Sequence, residues 1–134
     1  MTERNGGCLC GAVRYGVKGE LRGVTICHCT HCQKLSGSLF SFNAVAREAD
    51  YVQSGATTVY IDSGDSGQPV ERHFCGRCGS PILAKIAAAP GKVVIKAGTL
   101  DDIAGLQPKI EIYTDHAAAW LAPFEGATRF ARNM

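Results

Sequence analysis

Apolar residues along this chain recur with period two, or in short unbroken runs, rather than with the 3.6-residue period of helices. Residues 13–17 (V-R-Y-G-V) alternate, and residues 24–26 and 57–61 are rich in β-branched and aromatic side chains. Residues 92–97 (K-V-V-I-K-A) have a continuous apolar centre, and residues 110–113 (I-E-I-Y) alternate again. Each pattern predicts a strand. Turn formers separate them: residues 63–69 (S-G-D-S-G-Q-P) read as a loop and Ala89-Pro90-Gly91 as a hairpin turn. Helix is expected in two short places only. Residues 30–36 predict a short helix with the Thr30 hydroxyl as N-cap, and residues 100–105 a single turn ending at Gly105. The expected class is mainly β, an antiparallel two-sheet domain.

Composition narrows the partners. A chain of 134 residues predicts one domain, 1–134, long enough to bury a core. Lys and Arg number 14 against 12 Asp and Glu, a formal net charge of +2. That balance gives little pull toward nucleic acid or an anionic membrane, so neither is an expected partner. The opening residues Met1-Thr2-Glu3-Arg4-Asn5 carry no apolar signal core, and no apolar run is long enough to span a bilayer. A reducing, cytoplasmic location is the expectation, and a homodimer is left open.

The seven cysteines change the picture most, because they fall in three groups of metal-ligand spacing. Cys8-Leu9-Cys10 is the first, Cys27-His28-Cys29-Thr30-His31-Cys32 the second, and Cys75-Gly76-Arg77-Cys78-Gly79 the third. An odd number of thiols in a reducing compartment argues against a disulfide framework. A redox C-x-x-C normally opens a helix in a βαβ unit, which the surroundings of Cys75 do not suggest. Metal binding is the better reading. The total divides into four and three: four thiolates close a tetrahedral structural site, while three leave one position open for chemistry. In extended chain Cys8 and Cys10 would point to one face. Gly76 and Gly79 would allow positive φ in a tight knuckle around the third group. A helix starting beside the second group would favour thiolate over thiol there.

Other side chains have plainer roles open to them beside the chemical ones. His28 and His31 sit between the second-group cysteines and could move protons near neutral pH, or simply bond backbone carbonyls. His31 is the stronger candidate. Either could also complete the tetrahedron and close the site. Lys34 is expected to be solvated, His73 to be an ordinary sheet histidine, and Trp120 to anchor the C-terminal segment on the core. His116 has no evident role.

Gly7-Cys8-Leu9-Cys10-Gly11-Ala12-Val13-Arg14-Tyr15, the block from Cys27 to Lys34 with Ser36-Gly37, Phe74 to Ser80, and the stretch Ile112-Tyr113-Thr114 to Ala119-Trp120 together resemble the glutathione-dependent formaldehyde-activating enzymes, also called the centromere-protein-V-like family. The match runs in order over nearly the whole chain. The resemblance implies a β-tent fold with zinc knuckles and two zinc ions per chain. It further implies that Cys8, Cys10, Cys75 and Cys78 hold a structural zinc, and that Cys27, Cys29 and Cys32 hold a catalytic one. The implied activity joins formaldehyde to a small-molecule thiol such as glutathione, giving S-hydroxymethylglutathione, formally as a carbon–sulfur lyase. Cys27, Cys29, Cys32 and His31 are then the catalytic candidates. The alternative is a two-zinc structural or binding module without catalysis. A methionine-sulfoxide reductase would need a further cysteine after Cys78, and none follows.

Overall fold

Val13, just before one strand, and Tyr15 and Val17 within it are buried together against Ala44, Ala46, Ile82, Leu83, Val93 and Ile95, and this contact between two sheets is the core. The computed structural model describes residues 3–133, with Met1, Thr2 and Met134 outside the described residues. Its strands are β1 (Glu3–Gly7), β2 (Arg14–Lys18), β3 (Gly23–Cys27), β4 (Ser41–Arg47), β5 (Tyr51–Ser54), β6 (Thr58–Ser63), β7 (Pro69–Phe74), β8 (Pro81–Ile86), β9 (Lys92–Lys96), β10 (Ile110–Ile112) and β11 (Thr128–Arg129). One α-helix, α1 (Thr30–Ser36), follows β3. No helix among the described residues is long and apolar enough to cross a membrane.

The protein is mainly β and has two sheets, as its periodicity predicts. The smaller sheet has the order β1-β2-β5 and the larger β11-β10-β3-β4-β9-β8-β7-β6. Pairing is antiparallel except at β10, which runs parallel to β3 and to β11. That departure arises because a long irregular segment, residues 97–109, carries the chain from β9 across to β3, so β10 enters from the same end as β3. The sheets meet through their apolar faces, and Tyr15 stacks on Tyr51 with ring centroids 5.3 Å apart.

The two sides of the large sheet differ in chemistry. On β4, Ala44 and Ala46 face the core, while Ser41 and Asn43 lie on the opposite side. Directly opposite pairs share a face, so the registers Cys27↔Ser41 and Asn43↔Lys96 extend that polar row over three strands. Helix α1 packs over this face, and Cys32 is its one buried residue.

Outside the cysteine groups, two local expectations fail. Residues 100–105 form no helix. A 3-10 turn covers Ala97–Thr99 instead, Asp101 pairs with Arg14, and the Asp102 carboxylate accepts from the Ala104 N–H at 2.9 Å. Short polar side chains that bond their own backbone compete with the helix here. Trp120 does not anchor the C-terminal segment: it is 76% exposed.

Candidate metal centres

The β1–β2 connection brings Cys8 and Cys10 together by turning, not by strand alternation. The Gly11 N–H donates to the Cys8 carbonyl at 3.2 Å, and the Cys8 N–H to the Val13 carbonyl at 3.0 Å. The β7–β8 connection supplies Cys75 and Cys78 in a second tight turn, closed by Gly79 N–H to Cys75 C=O at 2.8 Å and Cys75 N–H to Ser80 C=O at 2.9 Å. Its two glycines serve different needs. Gly79 has φ +82°, as expected for the knuckle, whereas at Gly76 the requirement is space: a Cβ there would lie 2.5 Å from the Thr58 hydroxyl.

The two turns place the four sulfurs of Cys8, Cys10, Cys75 and Cys78 within 4.8 Å of one another. Cys8 Sγ lies 3.6 Å from Cys10 Sγ, which is 3.8 Å from Cys75 Sγ. A tetrahedral zinc with bonds of about 2.3 Å would set its sulfurs roughly 3.8 Å apart, so this donor set fits such an ion. Its surroundings favour thiolate at Cys8 and Cys78 but not at Cys10, which is pushed up to about 11. The Val13 N–H donates to Cys8 Sγ at 3.2 Å and holds that thiol below its ordinary range. The Ser80 hydroxyl, 3.3 Å from Cys78 Sγ, is the main reason that Cys78 is lowered to about 5.

The second group is built from the end of β3 and the start of α1. Cys27, Cys29 and Cys32 have their sulfurs within 4.8 Å of one another, one ligand short of a closed tetrahedron. The helix cap differs from expectation. Cys29, not Thr30, is the N-cap, and its sulfur accepts from the Cys32 N–H at 3.3 Å. The capping side chain is thus one of the three clustered thiols. Within the group, thiol donors at Cys27 and Cys29 hold Cys32 far below the ordinary cysteine range, with smaller help from Lys96 and Ser41. Sharing with Cys29 and Cys32, together with burial, pushes Cys27 up. The set thus favours thiolate at Cys32 first, and its three sulfurs could hold a thiophilic divalent ion.

Neither histidine joins the three sulfurs. His28 and Glu111 are each 1% exposed, and His28 Nε2 lies 2.9 Å from Glu111 Oε1. The other carboxylate oxygen of Glu111 accepts from the Phe124 N–H at 3.0 Å and pairs with Arg129 Nε at 3.3 Å. His28 thus has a carboxylate partner rather than a backbone carbonyl, and its Nδ1 has no hydrogen-bond partner. His31 is 51% exposed, with Nδ1 2.7 Å from Asp62 Oδ2 on β6. Arg72 on β7 donates twice to that same oxygen, at 3.2 and 3.1 Å, so α1 is tied to the edge hairpin. Lys34 is exposed, as expected, and His73 bonds Thr57 and Glu71 as a sheet histidine would.

Several residues around this group escaped sequence reading: Glu111, Asp62, Lys96 and Tyr113. Tyr113 has φ 56° and ψ 41°, and is the one non-glycine with positive φ among the described residues. It directly follows Ile112, which registers with Cys27, and its phenol donates to Asp65 at 2.7 Å. Such a conformation in a bulky residue persists only where surrounding contacts hold it. A single acid inside I-E-I-Y and a lysine closing an apolar strand were the available signals.

A fold of two β sheets with two thiol clusters that could hold metal ions defines a class of small cysteine-rich β proteins. Residues 3–116 match the family model described as glutathione-dependent formaldehyde-activating enzyme, and the chain belongs to that family. It is 29% identical over 122 residues to a Halomonas elongata protein described as "Putative glutathione-dependent formaldehyde-activating enzyme", covering 87% of this chain and 78% of that protein. The fold is similar to the crystal structure of a Rhodobacter sphaeroides protein, with TM-score 0.57 and 23% identity over 78% of this chain and 91% of the other.

Proposed function

We propose that this protein is a zinc-dependent enzyme that joins a small thiol to formaldehyde, with S-hydroxymethylglutathione formation from glutathione as the reaction and carbon–sulfur lyase as the formal class. In this reading Cys8, Cys10, Cys75 and Cys78 hold a structural zinc and Cys27, Cys29 and Cys32 a catalytic one, within one domain spanning 1–134. The observation that carries it is the inequality of the clusters: four sulfurs meet in one, and three without any imidazole in the other. When bound at the three-thiol group, zinc would supply an open coordination position and the electrostatic pull that favours thiolate over thiol.

The chain's own residues do the rest. Glu111 fixes the His28 ring and thereby the backbone between two of the ligands. His31, at the exposed edge with Asp62 against Nδ1, is the proposed proton acceptor for the incoming thiol, since a carboxylate-oriented imidazole presents its second nitrogen as base. None of the seven cysteines forms a disulfide, which suits a reducing compartment, and we place the protein in the cytoplasm.

Cobalt substitution tests this reading. Adding glutathione to the cobalt-loaded protein is expected to perturb the sulfur-to-metal charge-transfer and d–d bands, and formaldehyde added next to be consumed faster than in a protein-free control. A spectrum indifferent to glutathione and to other small thiols would sink the enzyme reading and leave a two-zinc structural module in its place.

A further inference from the structure

Lys96 ends β9 with its ammonium drawn out of water, at 9% exposure. Its Nζ donates to Asn43 Oδ1 across the β4–β9 pair at 3.1 Å, and Asn43 Nδ2 donates to Ser41 Oγ at 2.9 Å. Both groups are neutral. Among the described residues no carboxylate forms an ion pair with Lys96. Lys96 also borders a cavity of about 270 Å³ whose walls include Leu35, Phe74, Pro81 and Leu83, with no acid among the lining residues. The neighbouring cation, Arg72, is engaged by Asp62.

A buried ammonium costs far more than one hydrogen bond to a neutral amide returns, so such a group persists when an opposite charge faces it. Burial disfavours the Lys96 ammonium, and Cys32, Cys27 and Cys29 are the groups that would favour it once they carry negative charge; Cys27 and Lys96 belong to the same polar row on the face covered by α1. Three thiolates around a divalent cation leave one negative charge, and one ammonium cancels it. The four-thiol group would leave two, but it includes the exposed Cys10 and can use water as its dielectric.

We propose that Lys96 is the built-in counter-charge of the three-thiol site: held by Asn43, it balances the single negative charge of three thiolates on a divalent ion and so sets that site's metal affinity. The proposal rests on the reading of Cys27, Cys29 and Cys32 as metal ligands. It makes Lys96 a positioning residue, acting through the sulfurs and not on substrate. It also distinguishes the clusters in kind: one is neutralised by the protein, the other by solvent.

Zinc binding to the whole chain, measured by competition with a chromophoric chelator, tests this. The wild type is expected to bind two zinc ions in separable steps. Lys96→Met, of similar length but uncharged, should weaken one step by about tenfold or more and leave the other unchanged, since a close charge pair in a shielded site is worth at least that factor. Lys96→Arg should restore most of the loss, a rescue that a merely space-filling role would not produce. Protection of Cys27, Cys29 and Cys32 from iodoacetamide, mapped by mass spectrometry, identifies which step changed. If Lys96→Met does not fold, Lys96→Gln, which keeps a donor for Asn43 without the charge, replaces it. Wild-type affinity at both steps in a folded, uncharged variant overturns the proposal. A wild type that binds one zinc and leaves Cys27, Cys29 and Cys32 open to alkylation instead overturns the metal-site reading, and the counter-charge with it.

Discussion

At the scale of single residues, the contacts around the three-thiol group come in ties between a charged side chain and one particular partner. Asp65, in the loop between β6 and β7, receives the Tyr113 phenol and lies 3.3 Å from Arg132. The phenol's hydrogen bond, followed by the guanidinium, holds the Asp65 carboxyl below its ordinary 3.8, while burial and then Asp65 push Tyr113 up to about 12. For the carboxylate, a depressed folded value means stabilisation that is complete above 3.8 and lost as pH falls through the folded value. For the phenol, a raised folded value means stabilisation complete below 10 and lost as pH rises through about 12. The tie therefore spans the whole neutral range. Asp65→Asn removes the charge facing the phenol and is expected to lower the apparent Tyr113 pKa by roughly one unit. The Tyr113 Cζ chemical shift followed against pH reads it directly, and an unchanged midpoint would contradict the tie. None of this was legible beforehand, because Asp65 and Tyr113 are far apart in the chain and each is unremarkable in composition. Glu111 and Asp62 were missed for the same reason: a carboxylate becomes a histidine's partner only when a fold sets it there.

At the scale of elements, turns decide more than strands. The two knuckles that assemble the four-thiol group are short connections whose backbone donors satisfy sulfur and carbonyl alike. Gly76 has no room for a side chain. Gly76→Ala should cost about 1–3 kcal/mol, because the new methyl collides with the Thr58 hydroxyl in β6 and neither backbone can retreat without moving Cys75 or Cys78. Thr58→Ala removes that hydroxyl, so the double variant should recover most of the loss in a urea or thermal unfolding measurement. Equal destabilisation with and without Thr58→Ala would place the cause elsewhere. Strand existence was readable from alternation at residues 13–17 and 110–113 and from the β-branched or continuously apolar runs at 57–61 and 92–97, each of which overlaps a strand. Cys8 and Cys10 show the limit of that reasoning. The i, i+2 spacing suits a strand and a turn equally, and the hydrogen bonds to Gly11 and Val13 select the turn.

For the whole molecule, the four-thiol group and the three-thiol group sit in different mechanical positions. The first joins the β1–β2 hairpin of the small sheet to the β7–β8 connection of the large one, so a metal there would fasten the two layers. The second lies within one end of the large sheet and α1. Cys75→Ser is therefore expected to unfold or aggregate the protein, since apparent binding free energies of structural zinc reach roughly 10–16 kcal/mol in zinc-finger peptides and count as folding free energy. Cys29→Ser should lose one zinc and keep the β circular dichroism. Metal analysis with thermal melts of both variants measures the contrast. A soluble Cys75→Ser with an unchanged melting temperature would remove the structural role, and a collapse of Cys29→Ser with loss of both metals would show the sites to be inseparable.

What the amino-acid sequence determined by itself is local: strand periodicity, thiol spacing within each group, and a seven-residue helix between Cys29 and Gly37. Those follow from nearest neighbours along the chain, where a period or a spacing already states which side chains share a face or a turn. The parallel entry of β10, the meeting of the first and third cysteine groups, the carboxylates behind His28 and His31, and the burial of Lys96 beside three thiols depended on tertiary structure. Each joins segments tens of residues apart, and such pairings are set by which sheet faces bury together, a property of the assembled layers that no local stretch contains.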